Sequence, residues 1–152
     1  MTVPNKSDFP SSSMMPAEMG EVGLENACIL YLIRSSAADV DNFLNSLGRL
    51  KNFFLDIYPY PVIAFVEDDF LAEWKESIIS LGVPVEFVVL HFTIPSHLPP
   101  ETVPEKVFNC TLGYRHMCQF FTLGVYDHAR LQSYKYYWRL DTYFLYPWPN
   151  PL

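Results

Sequence analysis

Apolar residues along this chain fall into short unbroken runs, separated by stretches in which they recur every three or four positions. Unbroken runs stand at Ala27–Ile33 and Val62–Val66, and a third apolar stretch, 85–92, is interrupted only by Glu86 and His91. Without polar alternation, such runs predict strands covered on both faces. Between the first two, Val40, Phe43, Leu44, Leu47, Leu50 and Phe54 mark one buried face of a helix. Ser36-Ala37-Ala38-Asp39 resembles a capping box at its start, and Tyr58-Pro59-Tyr60-Pro61 ends it, because proline cannot continue a helix. After the second run, Glu67-Asp68-Asp69 suits the positive end of a new helix. Leu71, Trp74 and Ile78 supply its face, and Leu81-Gly82 closes it.

Pro95, Pro99, Pro100 and Pro104 make the next segment an extended surface loop. A helix over 114–126, preceded by Gly113, and an aromatic strand over 136–140 complete the pattern. Strands alternating with helices imply right-handed crossovers and an α/β fold: a mostly parallel, Rossmann-like sheet flanked by helices. Residues 1–25, rich in Pro, Ser and Met and without periodicity, read as a disordered tail. Residues 26–152 form the folded part.

The chain has 152 residues, enough for one domain with a real core. Half of them are hydrophobic and 16% are aromatic, which excludes disorder throughout. A net charge of −7 argues against nucleic acid as a partner, since phosphate backbones need a basic face. It leaves room for a nucleotide-sugar, whose phosphates need only a metal ion and a few local donors. No run approaches the ~20 apolar residues of a membrane span, and no signal-peptide pattern is visible at the N-terminus. Cys28, Cys110 and Cys118 lack the spacing of a zinc site and read as buried free thiols, with a Cys110–Cys118 bridge as the alternative. Asn5-Lys6-Ser7 and Asn109-Cys110-Thr111 fit the acceptor pattern for N-linked glycans.

The most specific segment is Gly113-Tyr114-Arg115-His116-Met117-Cys118-Gln119-Phe120-Phe121, followed by Tyr134-Lys135-Tyr136-Tyr137-Trp138-Arg139-Leu140-Asp141-Thr142. It resembles the heart of the fungal-type Golgi α-1,2-mannosyltransferases (glycosyltransferase family 15). Their motif reads Gly-Tyr-Arg-His-Met-Cys-Arg-Phe-Phe, then an aromatic strand ending in Trp-Arg, then an acidic metal motif. This chain departs from the first block only at Gln119. The resemblance implies a GT-A-type nucleotide-sugar-binding half. It further implies retaining transfer of mannose from GDP-mannose to a glycan, Mn²⁺ as cofactor, and a Golgi setting, membrane or lumen.

In an open parallel sheet, ligands sit beyond the carboxyl ends of the strands. Arg34, the acidic triplet Glu67-Asp68-Asp69, and Asp141 fall at such ends. Arg34 matches the family arginine after the first strand, where its planar fork of donors suits phosphate or ribose oxygens; the alternative is a solvated arginine. Asp141 aligns with the first acid of the family's metal motif, and oxygen ligands suit a hard cation. The alternative pairs it with Arg139, or makes it the cap of the following turn. Tyr143 stands where typical members carry a second carboxylate. Tyr114 and Arg115, behind Gly113, are donor-binding candidates, with the first amide groups of their helix facing an anion. His116 reads as a hydrogen-bonded core residue, Met117, Phe120 and Phe121 as core. Tyr136, Tyr137 and Trp138 read as packing, with some rings available to a sugar pocket.

The resemblance spans roughly 26–142 and stops before the family's acceptor half, so no nucleophile is assigned. The expectation is a donor-binding half with the C-terminal half absent. Two alternatives stand beside a transferase: a non-catalytic remnant that binds a nucleotide-sugar or a protein, and a small interaction domain with an aromatic surface.

Overall fold

The computed structural model describes residues 23–143; all but the last three residues of the expected tail over 1–25, and the segment after Tyr143, lie outside them. Three apolar runs become parallel strands: β1 (Ala27–Ile33), β2 (Val62–Val66) and β3 (Val85–Val89). A two-residue ladder, β4 (Lys106–Val107) with β5 (Cys110–Thr111), forms a separate antiparallel hairpin. The last strand, β6 (Tyr136–Arg139), returns to pair with β1. The main sheet has the order β3-β2-β1-β6, all parallel. This is the expected Rossmann-like sheet, and its order reverses direction at β1.

Successive residues of a strand face opposite ways, and the two faces of β1 and β2 feed two cores. Ile29, Tyr31, Ile33, Val62, Ala64 and Val66 meet Val40, Phe43, Leu47 and Leu50 of helix α1 (Ala37–Leu50), with Ile78 of α2 (Ala72–Ile79). On the other face Cys28, Leu30, Ile63 and Phe65 meet Phe120, Val125 and Leu131. These follow α3 (Leu112–Gln119), which continues through a wide π turn at Phe120–Gly124. One hydroxyl pair enters the first core already satisfied, Tyr31 Oη to Ser46 Oγ at 3.0 Å.

Several local expectations change. The acidic triplet does not begin α2. Phe70 N–H donates to the Glu67 carbonyl at 3.2 Å, a turn that buries Phe70. The helix opens only at Ala72, with Leu71 as an exposed first residue outside it. Core burial of Phe70 outweighs the dipole preference of carboxylates for the helix start. Gly82 does close this helix, with φ +71, the left-handed region that glycine adopts without strain. The proline loop contains the unexpected hairpin, whose turn places Phe108 at φ +51 and almost fully exposed. Of the cysteines, all free, only Cys28 is buried; Cys110 is half-buried and Cys118 exposed.

The second core has a polar edge. His128 packs edge-on against Phe65 at 4.9 Å, and its Nδ1 accepts the Arg130 N–H at 3.2 Å, capping a short helical turn. Burial pushes the His128 imidazole below its ordinary value. The unfolded chain therefore binds this proton more readily. Stability carried by the neutral ring is complete above about pH 6.5 and is lost as pH falls toward the folded value. Replacing His128→Asn keeps a capping acceptor and removes the titration. Its stability between pH 7 and 5, measured by urea denaturation, should depend less on pH than that of the parent chain.

Candidate functional site

A cleft of about 510 Å³ opens at the carboxyl ends of the strands, where the order reverses between β1 and β6. Arg34, Glu67, Tyr114, Asp141 and Tyr143 are among its lining residues. Each is placed by the element before it. Arg34 is the first residue after β1, Glu67 the first after β2, and Asp141 follows β6 by one residue. Leu140 and Thr142, both buried, anchor the backbone on either side of Asp141, and Leu140 N–H donates to the Leu30 carbonyl at 2.9 Å. A doubly wound sheet makes such a crevice at its reversal point because the flanking connections leave on opposite faces.

The polar groups in this cleft are already organised. Arg34 Nε donates to Asp39 Oδ2 at 2.5 Å, and Nη2 to Oδ1 at 3.2 Å. The Arg34 side chain is 70% exposed while that of Asp39 is 5% exposed. Hydrogen bonding to Asp39 raises the already high pKa of Arg34, so its charge is permanent. Across the cleft the Tyr143 hydroxyl donates to Asp39 Oδ1 at 3.5 Å. Asp141 Oδ1 accepts from Arg139 Nη2 at 3.1 Å, so the pairing alternative for Asp141 is realised. That pair is exposed, and among the described residues it engages only Oδ1 of the carboxylate; Arg139 also lies 3.6 Å over the ring of Phe121.

The helix carrying Tyr114 begins earlier than the glycine suggested. Thr111 is its cap: Thr111 Oγ1 accepts the Tyr114 N–H at 3.2 Å, which puts Gly113 inside the first turn and occupies one of the free amides. Tyr114 reaches the cleft, and hydrogen bonding with the Cys118 thiol one turn on pushes its phenol up. Arg115 does not line the cleft. It faces the proline loop and donates through Nη2 to the Pro104 carbonyl, so the structure separates it from Arg34, Tyr114 and Asp141. His116 stacks on Phe92, with centroids 5.3 Å apart. Asp68 leaves the cleft for His91, at 3.7 Å.

One cleft residue escaped the sequence reading, and a second, Glu67, falls at a ligand-facing strand end but reads as a helix start. Asp39 looked like half of a capping box. Its backbone N–H does donate to Ser36 Oγ at 3.3 Å, but its carboxylate goes to Arg34. The signal for Asp39 lay in its five-residue distance from an arginine at a strand end, readable only once the turn between them is known.

Among the described residues no three His, Cys, Asp or Glu side chains come together as a metal cage. Asp141 and Glu67 offer hard oxygen donors. A cation that a diphosphate also chelates needs only one or two protein carboxylates, so the donor set fits such a shared ion.

Residues 2–144 match the family described as "Glycolipid 2-alpha-mannosyltransferase". The O-glycoside alpha-1,2-mannosyltransferase homolog 5 of Schizosaccharomyces pombe is 27% identical over 127 residues, covering 76% of this chain and 30% of that protein. The X-ray structure of the Saccharomyces cerevisiae mannosyltransferase Ktr4p in complex with GDP superposes with a TM-score of 0.64 at 23% identity, covering 78% of this chain and 34% of that one. Core-mannan synthase A of Aspergillus fumigatus, in a Mn/GDP form, gives 0.62 at 20% identity, covering 83% and 37%. The chain thus spans about a third of the length of these relatives, and the two structures share its fold.

Proposed function

Since this chain belongs to the glycolipid 2-alpha-mannosyltransferase family, we propose that it is the donor-binding part of a Golgi glycosyltransferase. The reaction is transfer of mannose from GDP-mannose to a glycan in protein glycosylation, with retention of configuration. The observation that carries this reading is the cleft at the strand-order reversal, lined from the ends of adjacent strands by a permanently charged arginine and an acidic side chain. GDP in the Ktr4p complex and Mn/GDP in core-mannan synthase A support the donor and the cofactor. Among the described residues no helix is long and apolar enough to cross a membrane.

In such a transfer the bond between the sugar carbon and the diphosphate breaks, and negative charge grows on the leaving oxygen. Arg34, aimed from the end of β1, donates to the diphosphate as that charge develops, the kind of preorganised stabilisation that lowers barriers most. Tyr114 offers a ring and a hydroxyl to the nucleoside or sugar. Asp141 would hold Mn²⁺ beside the diphosphate, with Glu67 as a second oxygen donor. When bound, the cation supplies neutralisation of the leaving group. Arg115 acts indirectly, by fixing the proline loop against α3. No nucleophile is assigned among the described residues.

Calorimetry tests this reading. GDP should bind more tightly than UDP or ADP, and millimolar Mn²⁺ should strengthen the GDP signal. Asp141→Asn keeps size and removes the charge a hard cation needs, so the Mn²⁺-dependent gain should vanish while metal-free affinity remains. Equal heats for the three nucleotides would overturn the reading.

A further inference from the structure

We propose that Asp39 is a positioning residue, a buried tether that fixes Arg34 in the orientation it needs to meet a diphosphate. This rests on the reading of the cleft as a nucleotide-diphosphate site. Arg34 is a long side chain standing mostly in solvent, and such a chain samples many rotamers before it binds anything. Asp39 removes that freedom. Its carboxylate is sunk to 5% exposure in the first turn of α1, and its backbone is pinned by Ser36 Oγ at 3.3 Å. It takes both Nε and Nη2 of Arg34, at 2.5 and 3.2 Å. Two parallel donors to one carboxylate set the plane of the guanidinium as well as its place.

The tether is asymmetric in a useful way. Arg34 could leave only by stranding a buried carboxylate without its cation, which is strongly unfavourable. The pair with Asp39 uses Nε and Nη2 and leaves Nη1 outside it, on a side chain that is 70% exposed, with Tyr143 as its other neighbour. The Tyr143 hydroxyl, 3.5 Å from Asp39 Oδ1, brings the segment after β6 to the same anchor. One side chain therefore joins the polypeptide after β1, the start of α1 and the polypeptide after β6 on both sides of the reversal point.

Removing Asp39 acts in two directions. It frees Arg34 to wander, which weakens binding, and it removes a negative charge behind the phosphate site, which strengthens it. The guanidinium stands between that carboxylate and the phosphates and neutralises it at close range, so the charge effect is the smaller. Ordering wins. In calorimetry with GDP, Asp39→Ala should lower affinity about 5- to 30-fold, the span expected when a rotamer-rich arginine must be ordered on binding. Asp39→Asn, which keeps shape and one acceptor, should fall between parent and Asp39→Ala.

The decisive comparison is a double-mutant cycle. In an Arg34→Ala background, Asp39→Ala should leave GDP affinity unlowered or raise it, because a tether with nothing to hold does nothing and an unpaired carboxylate only repels the phosphates. An equal loss in both backgrounds would make Asp39 a structural residue and overturn the proposal, as would unchanged or tighter GDP binding by Asp39→Ala. Nuclear magnetic resonance of the Arg34 Nε–H keeps the two readings separate. In the parent chain without ligand this proton should exchange slowly, and in Asp39→Ala it should exchange fast. A parent chain that ignores GDP yet shows the slow proton retains the tether and loses the donor reading. A fast-exchanging proton in the parent chain overturns the tether whatever GDP does.

Discussion

Phe65→Ala should lower the stability of the fold by about 3–5 kcal/mol, the range for emptying a fully buried phenylalanine site. Phe65 lies in β2, between neighbours β1 and β3, and none of its surface is exposed. Its ring meets Phe120 edge-on at 5.0 Å and His128 at 4.9 Å. The cavity left by alanine would be walled by two strands whose backbone ladders fix them in place, so it cannot collapse. The core on this face is also the smaller of the two. A domain of this kind is stable by roughly 5–15 kcal/mol in total, so about a fifth of its stability or more hangs on one ring. The midpoint of urea denaturation reads the loss. Leu123→Ala, at an exposed position nearby, serves as the control and should stay within about 0.5 kcal/mol.

Arg34→Ala should lower affinity for GDP by about 10- to 100-fold. Hydrogen bonds to charged groups contribute about 1.5–3 kcal/mol each, and every 1.4 kcal/mol is about tenfold. The substitution also leaves the Asp39 carboxylate buried and unpaired beneath the bound phosphates, which adds to the loss. Arg34→Lys is not a conservative control here. A lysine keeps the charge but cannot span both oxygens of Asp39 in one plane, so it should recover only part of the affinity. Calorimetry of the three chains against GDP at fixed salt measures the series. Equal affinity for all three would remove Arg34 from the binding site.

The sequence made the sheet legible because a strand buried on both faces has to be apolar at every position, and β1 and β2 are. The same rule shows the position of the cleft, since the polar residue after each run marks a strand's carboxyl end. Arg34 and Asp141 stood out for that reason, and Tyr114 through the resemblance of its block. Other features depend on contacts between distant segments, which periodicity does not carry. Asp39 carries a helix-start signal and a site role at once, and the stronger local signal hid the other. Phe70 drew the acidic triplet into a turn, although its carboxylates favour a helix start. The β4–β5 hairpin lacks the usual glycine at its turn, with Phe108 at φ +51 in its place, so nothing in the composition announced it. Arg115 sat one residue from a cleft residue in sequence, but helix geometry turned it about 100° away.

The alternation of β1 between two cores also gives this protein an internal chemical clock. Cys28 points into the smaller core, and burial there pushes its thiol up to about 11. At neutral pH very little of it is the reactive thiolate, and a reagent must wait for the sheet to part before it can reach the sulfur. Cys118 stands in open solvent on α3 and meets the reagent at once. Cys110, half covered in the hairpin, lies between the two. One thiol-specific probe added to the folded chain thus reads surface, hairpin and core as three separate rates, with the slowest reporting how often the middle of the sheet opens.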